Sequence, residues 1–215
     1  TLATTLNYND GISIANYGLG NIYMDHSDFN NALKCFNKAI EIEKAAGHKA
    51  SMANLLHNIA NVYLSMADYA KGIKLNLQAL KLFEEVGDTI GTANCHTNIA
   101  YVYEKIGDTK KSMNHTQKAM KLYTETGAKW GIAVSLVNIG SLYSKSGDFA
   151  KSKPYFTKAL EIYTELNQAD GMDLALINLS ENHLDSREYK PALDFALKAL
   201  QISKANDLPE ALAYD

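Results

Sequence analysis

The strongest constraint on this chain is that it repeats itself every forty residues. Tyr23, Tyr63, Tyr103 and Tyr143 are spaced by 40, with His183 in the fifth slot, and Ala39, Ala79, Ala119, Ala159 and Ala199 fill a second column without exception. A third column reads Asp28, Asp68, Asp108, Asp148 and Glu188, followed by Phe29, Tyr69, Thr109, Phe149 and Tyr189. Five copies share one register with no insertion. A chain of this kind buries apolar surface by stacking each copy on its neighbours, so it is expected to form an extended array rather than one central core. The register divides it into a tail and linker at 1–12, repeats at 13–52, 53–92, 93–132, 133–172 and 173–208, and the start of a further helix at 209–215. Leu2 falls in the column of Ile42, Leu82, Leu122 and Ile162, and Pro209 suits the first turn of a new helix, so a longer array truncated at both ends is expected.

Three prolines in 215 residues leave room for long helices, and 47% apolar with 21% charged residues is ordinary globular composition. Each repeat reads as helix A, a short turn at the Asp column, and helix B. The Asp column suits N-caps of helix B. Gly47, Gly87, Gly127 and Asn167 share a column after helix B, where a left-handed cap favours Gly or Asn. Pro154, six residues past Asp148, is expected to kink helix B of the fourth repeat or delay its start.

With Tyr23 taken as position 11, positions 7 and 8 read Leu19-Gly20, Ile59-Ala60, Ile99-Ala100, Ile139-Gly140 and Leu179-Ser180. Together with the Tyr, Asp-aromatic and Ala columns, this pattern resembles the tetratricopeptide repeat over almost the whole chain. It departs from that pattern at position 20, with Gly72, Ser112 and Ser152, and at position 24, where Asn76, Thr116 and Ala196 replace the usual aromatic. The departures put tightness of packing in question. The usual period of the family is 34, so six extra residues must lengthen the helices. Such long forms are similar to those of Pins-type spindle adaptors, kinesin light chains and bacterial quorum-peptide receptors. The resemblance implies an all-α, right-handed superhelical solenoid of five helix-turn-helix repeats, and a scaffold that binds peptide or protein segments.

Other functions find little support. Twenty-one basic against 24 acidic residues leave a net charge of -3, with no general positive field for nucleic acid. A single arginine, Arg187, removes most bidentate anion recognition. No run approaches 18 apolar residues, so no membrane insertion is expected. Cys35 and Cys95 are too few for a disulfide scaffold or a cysteine zinc site and favour a reducing compartment, hence the cytoplasm. The turn Gly107-Asp-Thr-Lys-Lys-Ser112 lacks the glycine and Gly-Lys-Ser/Thr ending of a phosphate loop, and Gly18-Leu-Gly20 lies on a helix rather than after a strand. No two histidines stand four apart on one helix, so no metal site is expected. Cys95 and His96 are adjacent and therefore point about 100° apart on a helix, which prevents them from working as nucleophile and base. Neither enzyme activity nor a cofactor is expected.

A binding surface is suggested by one stripe. On helix A, positions 4, 7, 8 and 11 cluster toward the core, and positions 2, 6, 9 and 13 lie opposite. That second stripe holds Asn21, Asn54, Asn58, Asn61, Asn94, Asn98, Asn138 and Asn178, eight of twenty positions in a chain with nineteen asparagines among 215 residues. Asparagine within a helix costs on the order of half a kcal/mol relative to alanine, so its repetition has no local benefit. Two readings stand. The amides bridge neighbouring A helices, or they pair with the backbone of an extended peptide, as asparagines in these columns often do in the families that the chain resembles. Lys105 and Lys145, at position 13 of the third and fourth repeats, are placed to share a ligand carboxylate such as an acidic tail, and Tyr17 and Tyr101 add aromatic surface. Asp25, Glu181 and Asp185 make the ends of the stripe acidic. The rival expectations are an architectural module that self-associates through its end faces, and a regulatory sensor whose output domain lies elsewhere.

Overall fold

The computed structural model describes residues 8–206, and among these it contains ten helices and no strand. They are α1 (Asn9–Asp25), α2 (Phe29–Ala46), α3 (Lys49–Ser65), α4 (Tyr69–Val86), α5 (Thr89–Lys105), α6 (Thr109–Thr126), α7 (Lys129–Lys145), α8 (Phe149–Glu165), α9 (Ala169–Asp185) and α10 (Tyr189–Ala205). The chain forms two compact units, one ending at Asp108 and the other beginning at Thr109. In the first, α1 packs on α2, α2 on α3, α3 on α4 and α4 on α5, and α3 also touches α5, so the A helices of consecutive repeats lie side by side. The second unit repeats this arrangement with α6 to α10, α7 touching α9. The all-α repeat architecture expected from the columns is the one that forms.

The turns explain the regularity. At the end of α1 the Asp28 N–H bonds the Tyr23 carbonyl at 2.8 Å and the Ser27 N–H bonds the Met24 carbonyl at 2.9 Å, a Schellman closure with Ser27 left-handed at φ 57°. The same pair of bonds joins Asp68 to Tyr63 and Ala67 to Leu64, and joins Asp148 to Tyr143 and Gly147 to Ser144. The residue whose N–H closes one helix then caps the next. Asp28, Asp68 and Asp148 accept the backbone N–H of Asn31, Lys71 and Lys151 at 3.1–3.2 Å. Glu188 does not cap α10, because its carboxylate is bonded to the His183 ring instead. Helix B ends as expected at left-handed Gly47, Gly87, Gly127 and Asn167, with φ between 52° and 74–75°. Pro154 does not delay α8, which starts at Phe149 directly after its Asp148 cap. The carbonyl that Pro154 leaves unpaired is that of Ala150, an exposed residue where water can satisfy it.

Packing rests on small residues under large ones. Ala32, Ala39, Ala79, Ala119 and Ala159 are fully buried. Phe83, Tyr123 and Tyr163, at position 31 of their repeats, lie against Gly91, Gly131 and Gly171 on the next A helix. A Cβ added at those glycines would fall 2.3–2.4 Å from the ring, so no side chain fits there. Gly20 and Gly140 similarly lie under Phe36 and Phe156.

The left-handed turn column between helices A and B holds glycine at 107 and 147 but Ser27, Ala67 and Arg187 elsewhere. A left-handed non-glycine residue carries a penalty of about 1–2 kcal/mol, partly cancelled by the larger chain entropy of glycine. Ala67 is exposed and Ala67→Gly removes no packing, so the substitution should raise unfolding stability by about 0.5–1 kcal/mol in urea titration, and Gly107→Ala should lower it by a similar amount.

Candidate functional site

In the first unit the asparagine stripe forms a ladder across α1, α3 and α5. The Asn58 Nδ2 donates to Asn21 Oδ1 at 3.2 Å, and the Asn98 Nδ2 donates to Asn61 Oδ1. Both bonds join position 9 of one repeat to position 6 of the next, a separation of 37 residues. The Asn98 Nδ2 also reaches Asn76 Oδ1 at 3.3 Å. A side-chain amide has two donors and one acceptor oxygen. Asn98 spends both donors on the protein and keeps its oxygen, and Asn58 keeps its oxygen and one N–H. All four ladder residues are half-buried, at the margin between helix contact and solvent. Asn54 is exposed and bonds the Ala50 carbonyl of its own helix at 3.2 Å, and Asn94 is half-buried on α5.

Tyr101, 39% exposed, is steadied edge-on by Tyr69 with ring centroids 6.3 Å apart, and the Lys105 Nζ lies 5.2 Å from its ring centre. This gives one aromatic platform carrying a cation beside the ladder. Tyr17 is 37% exposed and leans edge-on to Phe36. In the second unit Asn138 is half-buried on α7, Lys145 is exposed at the end of that helix, and Asn178 bonds the Leu174 carbonyl one turn back at 2.8 Å.

Asn76, which broke the aromatic column at position 24, is fully buried and acts as a hub. Its Nδ2 donates to the Gly72 carbonyl at 3.1 Å, and its Oδ1 lies 3.2 Å from the His57 Nδ1 and accepts from Asn98. The departure therefore tightens the ladder through hydrogen bonds rather than loosening the core. The Cys95 sulfur lies 3.8 Å from the same His57 Nδ1, a thiol, imidazole and amide in one cluster. Its chemistry is not that of an activated nucleophile. Burial pushes the thiol up to about 12, and burial lowers the imidazole despite the opposing Asn76 bond, so both stay neutral near pH 7. The ring nitrogen facing sulfur is already engaged by Asn76.

A pocket of about 220 Å³ opens beside the stripe, lined by Ser13, Ile14 and Tyr17 of α1, Glu43 of α2, and Ser51, Asn54 and Leu55 of α3. Glu43 is only 7% exposed. Ser13 Oγ donates to its Oε1 and the His48 Nδ1 bonds its Oε2 at 2.9 Å, with Ser51 beside them in the pocket wall. Burial alone would push this carboxyl up, but the bonds from Ser13 and His48, with the Ser51 hydroxyl beside them, outweigh it and hold the group below its ordinary value of 4.5. Glu43 stands outside the columns that define the repeat pattern, but the forty-residue register exposes it. Position 31 reads Glu43, Phe83, Tyr123 and Tyr163, and the matching glycine column reads Ser51, Gly91, Gly131 and Gly171. Among the described residues, no group of His, Cys, Asp and Glu side chains is arranged to hold a metal ion, and no helix is long and apolar enough to cross a membrane.

Consecutive antiparallel pairs with small-residue seams define an α-helical repeat scaffold. The tetratricopeptide repeat pattern matches residues 11–71, 51–125 and 131–205, and the chain belongs to the tetratricopeptide repeat family. Among solved structures it is similar to BtubC from P. vanneervenii, with TM-score 0.79 and 17% identity over 99% of this chain and 90% of that one. It is also similar to aspartyl phosphate phosphatase F from Bacillus subtilis, with TM-score 0.80 and 19% identity over 91% of this chain and 51% of that one. A Rap protein complexed with Competence and Sporulation Factor aligns with TM-score 0.81 and 18% identity over 90% of this chain and 54% of that one. The chain thus spans about half the length of the last two proteins, and at identities this low the structural likeness shows a shared fold alone. In sequence, no curated protein matches it.

Because the folded-state pKa of Glu43 lies below its unfolded value, its stabilising contribution is in place above that unfolded value and is lost as pH falls through the folded one. Glu43→Gln should therefore melt below the wild type at neutral pH. The gap should close between about pH 5 and about pH 3 in circular dichroism melts.

Proposed function

We propose that the chain is a peptide-binding module that holds an extended segment along the A-helix stripe of its first unit. The observation that carries this reading is the partly spent amide ladder. Asn58 and Asn98 are fixed by one edge to neighbouring helices and keep acceptor oxygens, beside the exposed platform of Tyr101 and Lys105. A rigid amide one repeat from another suits the alternating donors and acceptors of an extended backbone. The two readings of the asparagines are then compatible, since one edge of each amide serves the fold and the other the partner. Lys105 favours a segment with an acidic group, such as an acidic tail. Membership of a repeat family of interaction scaffolds supports the general role, and a similar fold in a Rap protein complexed with Competence and Sporulation Factor supports a peptide as partner. We read the module as non-enzymatic and cytoplasmic, with Asn138, Lys145 and Asn178 as further ligand contacts in the second unit.

Self-association is favoured by a different observation. Tyr189, Leu193, Leu197 and Leu200 form one row on α10 and are 41–66% exposed. Such a row suits a second apolar face. Concentration-dependent mass in sedimentation experiments supports that role, and a constant monomer mass excludes it.

Peptides selected from a random display library on the full chain test the groove. Asn58→Ala with Asn98→Ala should weaken their binding ten to a hundredfold, a loss of about 1.4–2.8 kcal/mol. Because both amides also bridge helices, the same variant should lose about 1 kcal/mol of stability per bond, so affinities are measured well below its melting point. Unchanged affinity alongside earlier melting would leave the amides a purely structural role.

A further inference from the structure

We infer that the pocket between α1, α2 and α3 is a subsite for a single ammonium group, carried as a lysine side chain or a free amino terminus by the peptide in the groove. The inference rests on the peptide-binding reading and adds a chemical preference to it.

Three columns of the repeat break together at this place. Position 1 reads Ser13, Ala53, Ala93 and Ala133, position 31 reads Glu43, Phe83, Tyr123 and Tyr163, and position 39 reads Ser51, Gly91, Gly131 and Gly171. In the second, third and fourth repeats the ring fills the space between alanine and glycine, and the fifth carries Asp173 and Ser203 at positions 1 and 31. Here a smaller carboxylate flanked by two hydroxyls leaves a cavity of about 220 Å³. Three coordinated polar replacements lining one open pocket give up the apolar ring contact that the next three repeats keep, and they have a common use in holding a cation.

The valence of Glu43 selects which cation. An ionised carboxylate offers about four lone-pair sites, and Ser13 and His48 occupy one on each oxygen. One acceptor position remains on each oxygen, with the hydroxyls of Ser13 and Ser51 and the Asn54 amide around them in the pocket wall. Acceptors spread around the pocket in this way suit the three divergent donors of an ammonium better than the coplanar fork of a guanidinium. Asn54 spends its Nδ2 on the Ala50 carbonyl and keeps its Oδ1, and the serine hydroxyls keep lone pairs, so an ammonium finds partners for its three donors. Ile14, Leu55 and the Tyr17 ring supply apolar wall for an alkyl stem. Of the nearby basic side chains, Lys49 is engaged by Glu85 at 2.8 Å, and the His48 ring holds Oε2 of Glu43 at 2.9 Å, so among these an incoming ammonium shares the carboxylate with His48 alone.

Three small probes test this on the isotope-labelled full chain by nuclear magnetic resonance. Nα-acetyl-lysine methylamide carries a side-chain ammonium, alanyl-alanine amide carries a terminal one, and Nα,Nε-diacetyl-lysine methylamide carries none. At least one ammonium probe should shift the signals of Ser13, Tyr17 and Ser51 with a dissociation constant on the order of millimolar, and which one does so identifies the source. The diacetylated probe should not shift them, and Glu43→Gln should weaken binding about tenfold or more. The triple variant Ser13→Ala, Glu43→Phe, Ser51→Gly restores the pattern of the later repeats. It should fold, melt higher than the wild type and lose ammonium binding. Equal binding of the neutral probe, retained binding in the triple variant, or no shift with either ammonium probe overturns the inference. Because the Asn58 and Asn98 variants report on the groove, loss of this subsite with the groove intact is distinguishable from failure of peptide binding itself.

Discussion

A ring laid on bare backbone sets the distance between successive repeats. Phe83 on Gly91, Tyr123 on Gly131 and Tyr163 on Gly171 bring helix B so close to the next helix A that even a methyl group would overlap the ring. Contact of this kind fixes both the height and the rotation of the incoming helix, because a flat ring against a main-chain surface has few alternative seatings. Rotation is what decides which residues of helix A face the previous repeat. The amide pair of Asn61 with Asn98 crosses the seam that Phe83 and Gly91 form and follows from it, and the pair of Asn21 with Asn58 keeps the same offset of 37 residues at a seam without the ring. Where the ring is missing, at Glu43, the space it leaves becomes the pocket.

The turns carry a second coupling. The carbonyl of Tyr63 receives the Asp68 N–H, the Asp68 carboxylate receives the Lys71 N–H, and the Lys71 Nζ returns both to that carboxylate at 2.8 Å and to the Tyr63 ring at 4.9 Å from its centre. Tyr143, Asp148 and Lys151 repeat the circuit. Exposed ion pairs of this sort add little stability on their own, on the order of 0–1 kcal/mol. Their effect is to bind the end of one helix to the start of the next in a single local arrangement, so the hairpin angle needs no distant contact.

Much of this was readable from the chain. The Asp column caps helices because a short acceptor before a helix has one effective role, and Gly47, Gly87, Gly127 and Asn167 end them because their column needs a left-handed residue. The site was less legible. The asparagine stripe was visible as an excess, but which amide meets which depends on the rotation of one helix against another, and no single column encodes that. Asn76 looked like a packing defect at an aromatic position, whereas its burial makes it the acceptor for both His57 and Asn98. Cys95 has His96 as its sequence neighbour, while the imidazole beside its sulfur is that of His57, one repeat earlier. Glu43 sits in a column that the familiar motif does not emphasise, so its meaning appears only when every position of the repeat is compared.

The constant offset of 37 also bears on how such a chain changes length over generations. Excising residues 54–93 would carry Asn98 into the place of Asn58, opposite Asn21, with the donor and acceptor order preserved. Unequal exchange between two copies of the coding sequence could thus shorten or lengthen the array without inventing a new contact. The first copy is an exception. Ser13, Glu43 and Ser51 belong to it alone among the first four copies, so duplication of the second, third or fourth copy cannot supply its pocket.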